Sequence, residues 1–264
     1  MVKTIEYKGV PCFYRVKGKG SAVMLVHGFI EEGSMWNDAL ELLAKSYKVV
    51  VPDLPGFGKS SLTEEVSIKA YAEYIKAICD KEKIKKLTLL GHSMGGYVTL
   101  YFAEKYSGQL NGFGLVNSHC FADAPEKKEN RKKSIEFIRK YGSKPFVTEL
   151  YNSIFHDKFK KKKRKFVDSL IKQASNYTPE ALMRATAAMM NRQNKEEVLK
   201  NSKVPVLIIG GKEDNSAPLD LVLKQAAMPS IADIHIYGEA KHMSIFERKK
   251  EALTAIKAFC DRCS

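Results

Sequence analysis

Leu87-Thr88-Leu89-Leu90-Gly91-His92-Ser93-Met94-Gly95-Gly96-Tyr97-Val98-Thr99-Leu100-Tyr101-Phe102-Ala103 is the stretch on which the reading of this chain turns. An apolar run, a G-x-S-x-G turn and an apolar stretch of helical character follow one another without a gap, which reads as strand, nucleophile elbow and helix. A serine at the tip of so sharp a turn is forced toward strained backbone angles. The glycines on either side leave room where a Cβ would clash. The hydroxyl is thereby lifted clear of the sheet. Such short patterns also recur by chance, so the turn gains weight only from partners elsewhere in the chain.

A serine hydroxyl is a poor nucleophile at neutral pH and needs an imidazole to take its proton and a carboxylate to orient that imidazole. Both are expected downstream in the order Ser, Asp, His. The run Val204-Pro205-Val206-Leu207-Ile208-Ile209 reads as a buried parallel strand, and the turn Gly210 to Pro218 after it carries Asp214. A last short strand, Asp233-Ile234-His235-Ile236-Tyr237, exits into a loop with His242. Each candidate lies just past a strand end, where open α/β sheets place their sites. Glu213 is the rival to Asp214 and ranks second, because one step along a tight turn redirects the carboxylate. His92 lies inside the elbow, His235 within a strand, and His119 and His156 in a helical region. The strand end Leu115-Val116-Asn117-Ser118 offers no acid.

Upstream, Ala22-Val23-Met24-Leu25-Val26 is a further apolar strand running into His27-Gly28-Phe29. In acyl transfer this loop and the residue after the nucleophile supply backbone N–H donors to the developing oxyanion, which points to Phe29 and Met94.

Taken together, these residues resemble the α/β-hydrolases of the single-domain esterase and lactonase type. The likeness runs through Val26-His27-Gly28-Phe29, Pro52-Asp53-Leu54-Pro55-Gly56-Phe57-Gly58-Lys59-Ser60, the elbow, Gly211 to Pro218 and His242 to Glu247. The segment Phe121 to Glu126 with Arg131, and the stretch Ala188-Met189-Met190-Asn191-Arg192, are similar to the lid of 3-oxoadipate enol-lactonase-like hydrolases. The resemblance implies a mostly parallel eight-stranded sheet with flanking helices and an inserted helical lid. Lys241 departs from the pattern, since the family usually has glycine before the histidine.

The alternation of strand and helix supports this division. Residues 1–118 and 204–264 read as the core and 119–203 as the lid, a stretch helical in pattern without a convincing strand. Within the core, Ile68, Tyr71, Ala72, Ile75 and Ile78 mark one face of a helix between Ser67 and Lys81. The lid carries 21 Lys and Arg against 10 Asp and Glu, a net of +11 out of the chain's +14. Its densest run, Lys158 to Phe166, raises nucleic acid or an anionic membrane as partners. Without an RNA-binding motif or exposed aromatic wedge it reads as a solvated helix face. No nucleic-acid partner and no membrane insertion are expected. Five scattered cysteines fit a reducing, cytoplasmic setting, and Cys260 and Cys263 lack the second pair a zinc site needs. Neither a phosphate loop nor a dinucleotide fingerprint is present, so no cofactor and no metal are expected.

The reading is therefore a serine hydrolase, monomer or homodimer, that cleaves a small-molecule carboxylic ester, thioester or lactone through an acyl-enzyme. Ser93 is the expected nucleophile, His242 the base and Asp214 its orienter. Expected substrate-pocket residues are Phe137, Phe146, Phe155, Met183, Met189 and Met190, with Arg184 and Arg192 as candidates for contact with a substrate carboxylate. A cofactor-free C–C hydrolase or lyase on the same fold, and a weakly catalytic ligand receptor, are the alternatives.

Overall fold

A computed structural model describes residues 1–264. Its centre is one eight-stranded sheet in the order β1-β2-β4-β3-β5-β6-β7-β8. β1 (Val2–Tyr7) and β2 (Val10–Lys17) form an antiparallel hairpin, and β2 pairs antiparallel with β4 (Lys48–Pro52). From there β3 (Ala22–Val26), β5 (Leu87–His92), β6 (Leu110–Val116), β7 (Val206–Gly211) and β8 (Ala232–Tyr237) continue in parallel.

Both faces of the sheet's centre are covered, which is why β3, β4, β5, β6 and β7 are buried along nearly their whole length, while β1, β2 and β8 toward the edges mix apolar and polar residues. Met24 and Val26 of β3 pack into the larger core beneath α2 (Ile68–Lys81) and α3 (Met94–Tyr106). Val23 and Leu25 face the opposite side, with α1 (Asn37–Leu43) and the C-terminal α12 (Lys249–Arg262). The α2 helix starts where its cap predicts, with Ser67 Oγ accepting the Ala70 N–H at 2.9 Å. Ile68, Tyr71, Ala72, Ile75 and Ile78 all lie on its buried face.

Between β6 and β7 the alternation stops and six helices follow: α4 (Pro125–Tyr141), α5 (Ser143–Ile154), α6 (Asp157–Lys162), α7 (Arg164–Ala174), α8 (Pro179–Met190) and α9 (Glu196–Lys200). The last part of the chain contributes α10 (Leu219–Ala226) and the short α11 (Ser244–Glu247). Gly142, at φ 80°, breaks α4 from α5. Within the lysine run, Phe159 stacks on Phe155 at 5.2 Å and Phe166 meets Phe246 at 5.0 Å. Lys161, Lys162, Lys163 and Lys165 between and beside them stay in solvent. The apolar side of the run thus anchors it and the lysines form its outer face.

All five cysteines are buried free thiols. No helix is long and apolar enough to cross a membrane. The strand register aligns Val26 with Gly91, His92 with Val116, and Gly211 with Tyr237. This brings the loops after β3, β5, β6, β7 and β8 to one edge of the sheet, where the chemistry-bearing residues collect.

Candidate active site

Ser93 joins β5 to α3 with φ 50° and ψ −115°, a left-handed conformation that a residue with a side chain holds only when its surroundings force it. A Cβ on Gly91 would lie 2.1 Å from the Gly95 carbonyl oxygen, and one on Gly95 would lie 2.4 Å from that of Val26. Both ends of the pentapeptide must therefore be glycine. The turn is pinned by the Ser93 N–H donating to Val116 O at 2.9 Å and by Ser118 Oγ donating to Ser93 O at 2.8 Å.

His242 bridges the serine and an acid. Its Nε2 is 2.7 Å from Ser93 Oγ and its Nδ1 is 2.8 Å from Asp214 Oδ2. An ionised carboxylate can only accept, so Nδ1 carries the proton and Nε2 offers its lone pair to the serine hydroxyl. Asp214 is itself saturated: Oδ1 accepts the N–H groups of Ser216 and Ala217 at 2.8 and 3.0 Å, and Oδ2 also accepts Asn117 Nδ2 at 3.0 Å. Burial alone would raise this carboxyl, but attraction to His242 and these hydrogen bonds hold it below its ordinary value.

The rival Glu213 turns the other way, its Oε2 3.2 Å from His156 Nε2. The loop that carries Lys241, where the resemblance leads one to expect glycine, is held by hydrogen bonds at both main-chain groups of that residue. Lys241 N–H donates to Glu247 Oε2 at 2.8 Å, and its carbonyl accepts Asn117 Nδ2 at 3.0 Å. The His242 N–H donates to Ile154 O at 3.0 Å, so the end of α5 also holds this residue.

Ser93 and His242 open into a cavity of about 220 Å³ between the sheet edge and helices α4, α5 and α8. Phe29 and Ile30 line it from the loop after β3. Phe146, Leu150 and Ile154 present one face of α5, and Thr186 and Met189 one face of α8. The wall from α4 is polar: Lys127, Asn130, Arg131 and Ser134 recur at helical spacing.

Residues 21–249 match the family model described as alpha/beta hydrolase fold. The chain belongs to the α/β-hydrolase family. A thermophilic esterase from Thermogutta terrifontis, solved with malate bound, superposes with a TM-score of 0.93 at 26% identity, covering 100% of this chain and 99% of that one. The enol-lactonase from Burkholderia xenovorans LB400 gives 0.90 at 19% identity over 97% of this chain and 99% of its own, a likeness of fold. The 2-hydroxy-6-oxo-6-(2'-aminophenyl)hexa-2,4-dienoic acid hydrolase of Metapseudomonas resinovorans is 25% identical over 96% of this chain and 89% of its own.

Within this α/β-hydrolase, Phe29 follows β3 and Met94 opens α3, so the two backbone amides expected to serve an oxyanion belong to segments flanking Ser93. Of the residues expected in the pocket, Phe146 and Met189 line the cavity. Phe137 lines a neighbouring surface depression between α4 and α5 instead.

The other pocket expectations are corrected by packing and charge pairing. Phe155 is fully buried in the aromatic stack with Phe159. Met183, Arg184 and Met190 of α8 are not among the residues that line the cavity. Arg184 pairs with Glu180 and with the Glu64 carbonyl. Arg192 is buried over the Tyr97 ring, 4.0 Å from its centroid, with Nη1 2.6 Å from Asp123 Oδ1. A guanidinium committed to Asp123 behind the wall is not free to meet a substrate.

Among the residues that sequence reasoning passed over, Lys127 lines the cavity and Asn117 supports Asp214. Glu31 also lines the cavity from the loop after β3. His119 is buried against Tyr97, and burial with the Arg192 charge pushes its imidazole down to about 3.

Proposed function

We propose that this protein is a serine hydrolase that cleaves a carboxylic ester, thioester or lactone through an acyl-enzyme, and that its preferred substrates are small and carry a carboxylate away from the reacting carbonyl. The observation that carries the reaction is the hydrogen-bonded chain Ser93, His242, Asp214 at the foot of the cavity. Ser93 Oγ attacks the carbonyl carbon while His242 Nε2 takes its proton. The tetrahedral oxyanion is met by the N–H groups of Phe29 and Met94, and collapse expels the alkoxide or thiolate, which receives the proton from His242. Water then adds to the acyl-enzyme by the same proton route in reverse, releasing the acid and Ser93. Asp214 keeps the imidazole in the productive tautomer and offsets its transient charge.

The substrate class follows from the α4 wall. Asp123 is the only carboxylate in ion-pair contact with Arg131 and Arg192, and Lys127 beside them forms no ion pair. Three cations therefore share one carboxylate. Burial, then repulsion from Arg131, lowers the Lys127 ammonium below its ordinary value. An incoming carboxylate would relieve that excess while its acyl carbon faces Ser93. A cavity of about 220 Å³ bounds the ligand to the size of a short dicarboxylic acid monoester. The malate bound by the esterase relative and the dienoic acid named for the hydrolase relative are of matching charge.

The test is kcat/KM for matched pairs of activated esters, a butyrate against a glutarate monoester. We expect the acid to be preferred, and Lys127→Ala to reduce that preference by roughly tenfold, the loss of one charge-assisted contact, with the neutral ester little changed. Equal rates for both esters in the parent protein would remove the carboxylate from the reading, and no turnover of any ester, thioester or lactone would remove the reaction. Cleavage of a C–C bond in a dienoic acid is the second reading, favoured by the near full-length match to such a hydrolase. It is separated by including a dienoic acid in the same screen.

A further inference from the structure

Beneath the serine lies a pair of ionisable groups that the reaction as written does not use. Glu31, in the loop after β3, has a side chain only 4% exposed, and that of His92, the last residue of β5, is 0% exposed. Glu31 Oε2 accepts the Gly28 N–H at 2.6 Å and lies 3.0 Å from His92 Nδ1. The other ring nitrogen, His92 Nε2, is 2.9 Å from the main-chain oxygen of His242. The two imidazoles are tilted against each other with centroids 5.1 Å apart.

Proton counting decides the state of this group. A carbonyl oxygen only accepts, so the short contact to His242 O requires a proton on Nε2. The contact from Nδ1 to a carboxylate that is already accepting an amide N–H requires a second proton. A neutral imidazole has one N–H, so one further proton sits between Nδ1 and Glu31 Oε2; with Glu31 held below and His92 above its ordinary value it belongs to His92, which donates from both nitrogens as an imidazolium. Removing either proton would set a nitrogen lone pair against an oxygen at about 3 Å.

We infer that Glu31 is a positioning residue: with His92 held as its cation, it ties the Gly28 end of the oxyanion loop to the main chain of the base His242, fixing the two halves of the site relative to each other. This inference rests on the hydrolase reading above. The charge balance also serves the reaction. A bare carboxylate on the Gly28 amide, lining the same cavity as Phe29, would oppose the negative charge that builds in the transition state, and the imidazolium cancels it. Gly28 is the residue that lets the parts meet, since a Cβ there would lie 2.7 Å from Glu31 Oε2, 2.9 Å from His92 Nδ1 and 3.0 Å from Ser93 Cβ.

Burial alone would lower His92, but the charge and hydrogen bond of Glu31, with the His242 carbonyl, bring it above its ordinary value. Burial would likewise raise Glu31, and attraction to His92 with the Gly28 N–H holds it below. The other groups facing the pair are His27 at the end of β3, Asp214 after β7, His242 after β8, Tyr151 on α5 and Tyr177 before α8. Tyr151 and Tyr177 donate to the carbonyls of Ile30 and Glu31, so they brace this loop without neutralising it.

Nitrogen NMR of histidine-labelled protein reads the inference directly, with the His92 signals assigned by their loss in His92→Gln. Both ring nitrogens should be protonated at neutral pH and remain so well above the ordinary histidine value of about 6.5. A neutral His92 at pH 7 would overturn the inference without reference to activity. In Glu31→Gln the amide oxygen can still accept both contacts of Oε2, but the negative charge that holds His92 as its cation is gone. This variant should lose on the order of 10- to 100-fold in kcat with KM nearly unchanged; the parent's kcat should fall at alkaline pH as His92 loses its second proton, and that alkaline limb should be absent from the variant. An unaltered profile in a folded Glu31→Gln would reduce the pair to scaffolding. A parent protein with no turnover but a doubly protonated His92 would count against the hydrolase reading alone.

Discussion

The two sides of the cavity are built on opposite rules. On the sheet side the reacting groups are closely partnered: Asp214 accepts from His242, Asn117, Ser216 and Ala217, and the elbow is clamped by Val116 and Ser118, although Asn117 Oδ1 has no partner of its own. On the α4 side charge is left over, with Lys127 at the cavity wall and in no ion pair. A saturated network holds one geometry and suits bond making. An unsaturated one stores an appetite for a particular ligand. On the proposed reading, reaction belongs to the strand ends and choice of substrate to the helices inserted between β6 and β7.

That contrast is sharpest for Ser93. Ser93→Ala should remove on the order of 10⁴-fold or more of turnover for neutral and acidic substrates alike, with the melting temperature little changed, because members of such a relay act as a unit. Retention of more than about a tenth of the parent rate would take the reaction away from the elbow.

Asp123→Asn should act on the other side. Burial would raise this carboxyl, but Arg131 and Arg192 outweigh it and hold it below its ordinary value. A depressed native pKa gives stability that is present above the unfolded carboxylate range and disappears as pH falls through the native value. Asp123→Asn should therefore lower the melting temperature by several degrees near neutral pH, and the gap should close as the solution is acidified below the ordinary range of about 4. A gap that persists at acid pH would mean that Asp123 acts through packing and not through charge.

The smallest effect is expected from the lysine run. Lys161, Lys162 and Lys163 lie in solvent on the outer face of α6, so replacing all three by Gln should change kcat/KM for an acidic ester by less than about threefold at physiological salt, where screening acts over about 8 Å. A larger loss that fades with added salt would extend the substrate-selecting region from the cavity wall to the protein surface.

What could be read from the sequence differs between the same two regions. Strands buried on both faces announce themselves as unbroken apolar runs, and the elbow and Asp214 each sit just past such a run, with His242 in the loop after the alternating β8, so their order along the sheet edge is legible. Asn117 was read only as a missing acid, because its service to Asp214 depends on β6 and β7 lying side by side. Glu31 carries no motif at all, and its pairing with His92 exists only once β3 and β5 are adjacent. In the inserted helices apolar character points to Phe155, Met183 and Met190 as lining, yet apolar residues on these helices also build their own core, and none of the three lines the cavity. The polar wall carries no such signal, because α4 is charged nearly all round. The face bearing Lys127 and Arg131 turns inward for want of any apolar alternative broad enough to fill that wall. Whether Arg192 is free or tied to Asp123 is a tertiary fact that no local pattern encodes.

The hydrogen bond from the His242 amide to the Ile154 carbonyl bears on how this scaffold could be re-engineered. Helical insertions between two strands look exchangeable, a cassette to be swapped for a new specificity. Here the last residue of α5 supplies part of the mount for the base. A transplanted cassette would have to reproduce that one carbonyl to within a few tenths of an ångström, or the recipient would gain a new pocket and lose the alignment of the imidazole that works in it.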